Sequence, residues 1–158
     1  MQAFNAALLP ETRIRFYPHA YDDATVGKYI ARSEAGEDLN FVLWDGLRIV
    51  GYFFLWYYRQ RVPLLGIGLL DELHGLGLGR QLMKILIAAA RGNGNEGIEL
   101  TTFLDNHRAF ALYEKMGFRY LGNVENLTGD GRVVIERAMF LALKPGAQPM
   151  TGPHQPPV

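Results

Sequence analysis

Seven residues, His74-Gly75-Leu76-Gly77-Leu78-Gly79-Arg80, have the make-up of an anion cradle. Three glycines alternate directly ahead of a helical apolar stripe formed by Leu78, Leu82, Ile85, Leu86 and Ala89. An apolar run, Leu64 to Leu70, precedes them and reads as a strand. The start of a helix presents unpaired backbone N–H groups and the positive end of the helix dipole. Glycine lets that backbone approach an anion with no side chain between. The arrangement suits a pyrophosphate. A nucleotide P-loop would need Gly-Lys-Ser/Thr, and Gly79 is followed by Arg80-Gln81. A dinucleotide turn would need G-x-G-x-x-G, and the spacing here is G-x-G-x-G. Glu96 and Glu99 do lie about 20 residues downstream, where a ribose-binding acid is expected, but two hairpin strands ahead of the turn do not suit a doubly wound sheet. On spacing alone, a glycine-rich loop with no ligand stays open.

A second group lies between Asn106 and Phe118. Asn106 and Tyr113 are nearly two helical turns apart, so an amide and a phenol face the same way about 10 Å apart. Both could touch one elongated ligand.

Elements must hold these groups. Arg13 to Tyr17 alternates and predicts a short first strand ended by Pro18, and the mixed stretch Asp22 to Ala35 predicts one or two short helices. Asn40 to Trp44 and Leu47 to Tyr58 predict strands, with Asp45-Gly46 as their hairpin turn. In the second run Val50, Tyr52, Phe54, Trp56 and Tyr58 share one face, and Ile49, Phe53, Leu55 and Tyr57 share the other. Both faces are apolar, which predicts a central strand covered on both sides. Gly66 and Gly68 inside the next strand imply a bulge or a close backbone. A helix from Leu78 ends at Gly92-Asn93-Gly94, Ile98 to Leu104 is a strand, and Asp105 or Asn106 caps a helix that Gly117 stops after Met116. Phe118 to Gly122 and Val133 to Leu143 complete the strands. Hairpins mixed with helical crossovers predict an α+β fold: a mixed, mostly antiparallel sheet of about seven strands flanked by about four helices. Residues 1–143 form the expected single domain, and 144–158, rich in proline, an extended tail.

At this point the chain resembles the GNAT superfamily of acyl-CoA-dependent N-acyltransferases. The family's Arg/Gln-x-x-Gly-x-Gly/Ala signature aligns with His74 to Gly79, with His74 in place of the usual Arg or Gln. Its Asn-x-x-Ala-x-x-Leu-Tyr-x-x-x-Gly-Phe signature is matched by Asn106, Ala109, Leu112, Tyr113, Gly117 and Phe118. The resemblance runs from about Arg13 to Leu143 and implies the fold just described, acetyl-CoA as cofactor, and direct attack of a primary amine on its thioester. It also implies roles. The N–H groups of Gly75, Leu76, Gly77, Leu78, Gly79 and Arg80 would hold the pyrophosphate. The Leu64–Leu70 strand would line the pantetheine, with Leu69 and Leu70 nearest the thioester and the Leu69 N–H facing the developing negative oxygen. Tyr113 would be the general acid to the departing thiolate. Many relatives carry a glutamate base in the Leu64–Leu70 strand, and none stands here. Asp71, Glu72, Glu99 and His19 are the candidates for that task.

The other features are read more plainly. The chain has 158 residues, 49% of them apolar, which provides a core for one domain. Sixteen basic and sixteen acidic side chains balance, which argues against a general nucleic-acid binder. There is no cysteine, so no disulfide or thiolate chemistry, and four scattered histidines lack metal-ligand spacing. Met1 to Pro10 has no signal-peptide pattern, and the longest apolar run, Ile49 to Tyr58, falls short of the roughly 20 residues a bilayer needs. A cytoplasmic protein is expected. Arg80 and Lys84, one turn apart, would either meet cofactor phosphates or form a wet helix face. Asp22, Asp23, Glu34, Glu37 and Asp38 would form either an acidic lip drawing a cationic amine or a solvated helix face. Of Trp44, Tyr52, Trp56, Tyr57 and Tyr58, one or two would line an acceptor pocket and the rest would be core. The acceptor is expected to be a small amine or a peptide N-terminus, with a homodimer left open. The competing reading is a non-catalytic acyl-CoA-binding or sensing module of the same fold.

Overall fold

A computed structural model describes residues 1–150 and 155–158. Part of the proline-rich tail, residues 151–154 with His154, lies outside the described residues. The elements run α1 (Gln2–Ala7), α2 (Pro10–Arg15), α3 (Asp23–Glu34), β1 (Leu39–Trp44), β2 (Ile49–Trp56), β3 (Leu64–Leu69), α4 (Leu78–Asn93), β4 (Gly97–Phe103), α5 (His107–Lys115), β5 (Arg119–Leu127) and β6 (Val133–Ala142), with a 3-10 turn at Asp71–Leu73. The sheet order is β1-β2-β3-β4-β6-β5. All neighbours are antiparallel except β3 and β4.

Among the described residues the sheet therefore has six strands, not about seven. The strand expected at Arg13 to Tyr17 is absent because that stretch belongs largely to α2. Pro10 sits at the helix start, where its missing N–H costs nothing, with Glu11 in the first turn and Arg13 and Arg15 in the last, each matched to the dipole. With α1, the described helices number five rather than four. Asp22 caps α3 as one continuous helix, its carboxylate accepting the Thr25 N–H at 2.9 Å.

The two faces of β2 are both buried. Phe53 and Leu55 join Leu82, Met83, Leu86 and Ala90 of α4 in one cluster, while Val50, Tyr52, Phe54 and Trp56 join Phe4, Tyr21 and Tyr29 in a second. The alternation along one strand thus holds a helical layer on each side of the sheet. The hairpin closes at Asp45 to Arg48, with the Asp45 carboxylate accepting the N–H groups of Leu47 and Arg48. Gly66 and Gly68 are explained by rings, not by a bulge or a backbone. An added Cβ would stand 2.1 Å from the Phe54 ring at Gly66 and 2.2 Å from the Phe16 ring at Gly68.

A split in the sheet positions the cleft. The parallel strands β3 and β4 pair only at Leu64 and Glu99 and then diverge. Past that point the β4-facing edge of β3 has no strand beside it, and a split opens through the sheet.

Candidate active site

The split is the floor of a cleft of about 830 Å³. Its walls come from β3, the 74–80 turn, α2 and α5, and both sequence groups line it.

The turn itself is built as the glycines suggest. Gly75 and Gly77 have φ of +82° and +80°, a left-handed conformation that L side chains disfavour. Gly79 is an ordinary helical residue, and its role is close packing, since a Cβ there would meet Leu112 at 3.5 Å. Gly77 is the N-cap of α4 and has no side chain to cap it. The backbone N–H groups of Gly75 to Arg80 have no hydrogen-bond partner among the described residues. A row of free donors at the positive end of a sixteen-residue helix fits a pyrophosphate. Arg80 lines the cleft, as do Arg15, Arg108 and Lys115, against the acids Glu11, Asp71 and Asp105. Lys84 is not part of the lining.

The free edge of β3 supplies the second set of donors. The Leu70 N–H donates to the Val50 carbonyl at 3.0 Å. By strand alternation the N–H and C=O groups of Leu65, Ile67 and Leu69 then point the other way; the Leu65 N–H completes the bridge to Glu99, and those of Ile67 and Leu69 open into the split. The Leu69 carbonyl is taken there by His74, whose ring Nε2 lies 3.1 Å away. His74 thus fastens the turn to the strand. Leu70, by contrast, is turned from the cleft: its N–H is spent on Val50 and its side chain packs in the second cluster. The Leu76 side chain is exposed and outside the lining.

Asn106 and Tyr113 both line the cleft. The Asn106 Oδ1 caps α5 by accepting the Ala109 N–H at 3.3 Å, which leaves its NH₂ as a donor. Tyr113 packs against Phe118 and keeps part of its surface in the cleft. Burial pushes its pKa up to about 12, and the negative charge of Glu136 adds to the effect. The phenol therefore keeps its proton throughout the neutral range and is available as an acid, not as a base. At the cleft mouth Arg15 reaches Asp105 at 2.7 Å, joining α2 to the start of α5 across the opening.

The four candidates for a base are placed as follows. Asp71 accepts from the Leu9 N–H and the Thr12 hydroxyl; burial alone would raise its pKa, but these bonds lower it on balance, which weakens it as a base. Glu72 pairs with Arg48 at 2.5 Å. His19 is buried against Tyr29, its pKa lowered by burial. Glu99 is buried and accepts the Met150 N–H. None of these except Asp71 lines the cleft. The acidic-lip reading also gives way. Asp22 caps α3, and Asp38 is fully buried, held by Arg32 at 2.6 Å and by the Tyr57 N–H at 2.8 Å. Glu37 pairs with Arg32 as well. Among the described residues no cluster of three or more His, Asp or Glu side chains could hold a metal ion, and no helix is long and apolar enough to cross a membrane.

A smaller hollow of about 120 Å³ adjoins the cleft and shares Arg15, Phe16, Leu65, Gly66 and Thr101 with it. It lies on the face of the sheet opposite α4, and Trp56 and Glu136 are among its walls. Of the five aromatic candidates, Trp56 alone lines it. The sequence signal at Glu136 is a carboxylate beside Arg137 inside the largely apolar run Val133 to Ala142.

The family model for the Acetyltransferase (GNAT) family matches residues 6–118, and the chain belongs to that family. Among solved structures, the protein yncA of Salmonella typhimurium, determined with its cofactor acetyl-CoA, superposes with a TM-score of 0.71 over 96% of this chain and 90% of its own, at 22% identity, and so shares the fold. A mycothiol acetyltransferase of Corynebacterium glutamicum is 36% identical over 80 residues, 48% of this chain and 26% of that protein. The N-acetyltransferase YvbK of Bacillus subtilis, itself uncharacterized, is 30% identical over 95 residues, 60% of this chain. The chain thus spans about a quarter of the first relative and 58% of the second.

Proposed function

We propose that this chain is an acetyl-CoA-dependent N-acetyltransferase that acts on a primary amine, a small molecule or a peptide N-terminus, within a ternary complex. One observation carries the reading. A single cleft brings together the uncapped start of α4, the free edge of β3 and the Tyr113 phenol. Acetyl-CoA, when bound, supplies a thioester open to attack by an amine.

The protein's own groups divide the work. The N–H groups of Gly75, Leu76, Gly77, Leu78, Gly79 and Arg80 hold the pyrophosphate, and His74 keeps that turn in register with β3. The inward N–H groups of Ile67 and Leu69 bond the pantetheine arm, and the Leu69 donor meets the charge that develops on the carbonyl oxygen. Asn106 lends its NH₂ at the start of α5. Leu70 contributes only by fixing the end of β3. Tyr113 is the general acid. A phenol near 12 is weakly acidic beside an ordinary thiol of about 8.5, but the burial that raises the phenol also disfavours a free thiolate in the same cleft, which favours proton transfer to sulfur as the carbon–sulfur bond breaks. Residues 1–143 form the working domain and 144–158 the appended tail, and the protein works in the cytoplasm.

The test is an amine-panel assay of CoA release with mass detection of the N-acetyl product. Turnover with at least one primary amine is expected. Tight acetyl-CoA binding with no turnover on any amine would favour a sensing module instead.

A further inference from the structure

We propose that Glu136 is the acceptor-side base, and that the hollow beneath the β3–β4 split takes a primary monoamine with an apolar body. This rests on the acetyltransferase reading above. Register sets the position of the carboxylate. Leu64 pairs with Glu99, and beyond that pair β4 runs on to Phe103 along the far side of the split. Phe103 in turn pairs with Glu136 on β6, and directly opposed residues share a face. Glu136 therefore stands on the face opposite α4, on the β4 side of the split, in the hollow that meets the cleft at Leu65 and Gly66. Tyr113 approaches from the α4 side, packed against the first cluster. The two groups flank the split from its two faces, close enough for the Glu136 charge to act on the Tyr113 phenol.

The hollow around Glu136 is a built pocket. Asn126 Nδ2 donates to Glu136 Oε2 at 2.6 Å and aims the carboxylate. Phe54 and Trp56 stack with ring centroids 3.9 Å apart and form an apolar wall. Gln155 and Pro156 of the tail are also part of the hollow's lining. Arg15 and Glu136 are the charged residues among the described lining, and Arg15 is already engaged by Asp105. One carboxylate beside aromatic rings recognises one ammonium on an apolar stem. A polyamine's second ammonium would meet no second carboxylate in this lining.

The step balances within the ternary complex. A proton passes from the ammonium nitrogen to a Glu136 oxygen, and the freed lone pair forms a bond to the thioester carbonyl carbon. The carbon–sulfur bond breaks, its electrons leave with sulfur, and sulfur takes the Tyr113 proton. The nitrogen's second proton returns through solvent to Tyr113, and Glu136 releases its own to solvent. Exclusion of water as the amine docks favours the neutral acid and amine over the charged pair. Besides Asn126, the groups facing Glu136 are Arg15 and Tyr17 across the hollow and Tyr113 through the split. Glu99 lies along the same sheet face and is engaged by the Met150 N–H.

The test has two arms. In a Trp44→Phe background Trp56 is the sole indole, so its fluorescence reports amine binding directly. Butylamine is expected to change it saturably. Glu136→Gln should weaken that binding by about tenfold or more, Glu136→Asp should retain most of it, and spermidine should bind no tighter than butylamine. In the second arm, Glu136→Gln should lower kcat/KM for butylamine about 100-fold at neutral pH, with acetyl-CoA affinity unchanged. That gap should close toward about pH 10, where solvent deprotonates the amine. Equal butylamine binding and an unchanged pH–rate profile in Glu136→Gln would overturn the assignment, and far tighter spermidine binding would overturn the monoamine class. If the parent protein binds butylamine yet releases no CoA, the transferase reading fails while the binding arm still decides the pocket.

Discussion

The His74 ring Nε2 lies 3.1 Å from the Leu69 carbonyl oxygen, tying the start of the glycine turn to the end of β3. A carbonyl only accepts, so that nitrogen carries a proton. The bond joins the two donor sets that acetyl-CoA would use. His74→Ala should weaken acetyl-CoA binding by about three- to tenfold, the worth of one hydrogen bond, and His74→Gln should recover most of it. Isothermal titration of the three proteins checks this. Equal affinity in all three would separate the turn from the strand.

Gly75 and Gly77 need their left-handed φ, and a Cβ at either would meet nothing within 4 Å. Any loss on substitution is therefore conformational rather than steric, on the order of 1–2 kcal/mol per site. Gly75→Ala and Gly77→Ala should each weaken acetyl-CoA binding by about tenfold as the turn relaxes. Gly79→Ala keeps a helical backbone and makes an ordinary contact with Leu112, so its affinity should match the parent's. A large loss at Gly79 alone would reverse the account of the turn.

Gly66 lies under the Phe54 ring, between the cleft and the hollow. Gly66→Ala forces that ring aside. It should cost about 1–3 kcal/mol of stability, read from a urea midpoint, and raise the amine KM with acetyl-CoA affinity kept. An unchanged amine KM would remove the hollow from the acceptor site.

Alkaline pH should destabilise the protein through its buried phenols. Burial raises the pKa of Tyr113 to about 12 and raises those of Tyr21, Tyr29 and Tyr52 as well. An unfolded tyrosine titrates near 10. Below that value both states hold the protons and the stability is fully present. Above it the unfolded chain releases protons that the folded chain retains, so stability falls as pH rises. Urea midpoints should be flat to about pH 9.5 and then decline through about pH 11.5, with a shallower decline in Tyr52→Phe. A flat series would mean that these phenols ionise freely in the fold.

Much of this was legible in the residues. The two apolar faces of β2, the cap at Asn106 and the left-handed end of α4 at Gly94 follow from local pattern, because period and capping are local physics. Arg13 to Tyr17 misled because alternation over five residues does not separate a strand from a helical turn, and Pro10 with its flanking charges decided for helix. The left-handed glycine turn and the helix that carries Tyr113 were readable since each motif is contiguous. Glu136 was not, because its place depends on a register between β4 and β6 and on where β3 and β4 part company. Likewise Asp38 read as a surface acid, and only the fold shows it buried beneath Arg32.

Tyr113→Phe separates the chemical step from cofactor binding. The phenol's hydroxyl is removed while the ring against Phe118 stays. With an accepted amine at saturation, kcat for CoA release should fall by about 100-fold or more, the range for a lost general acid, while the acetyl-CoA Kd stays within about twofold. An unchanged kcat would contradict the account, because the cleft would then bind the cofactor without using the phenol that lines it.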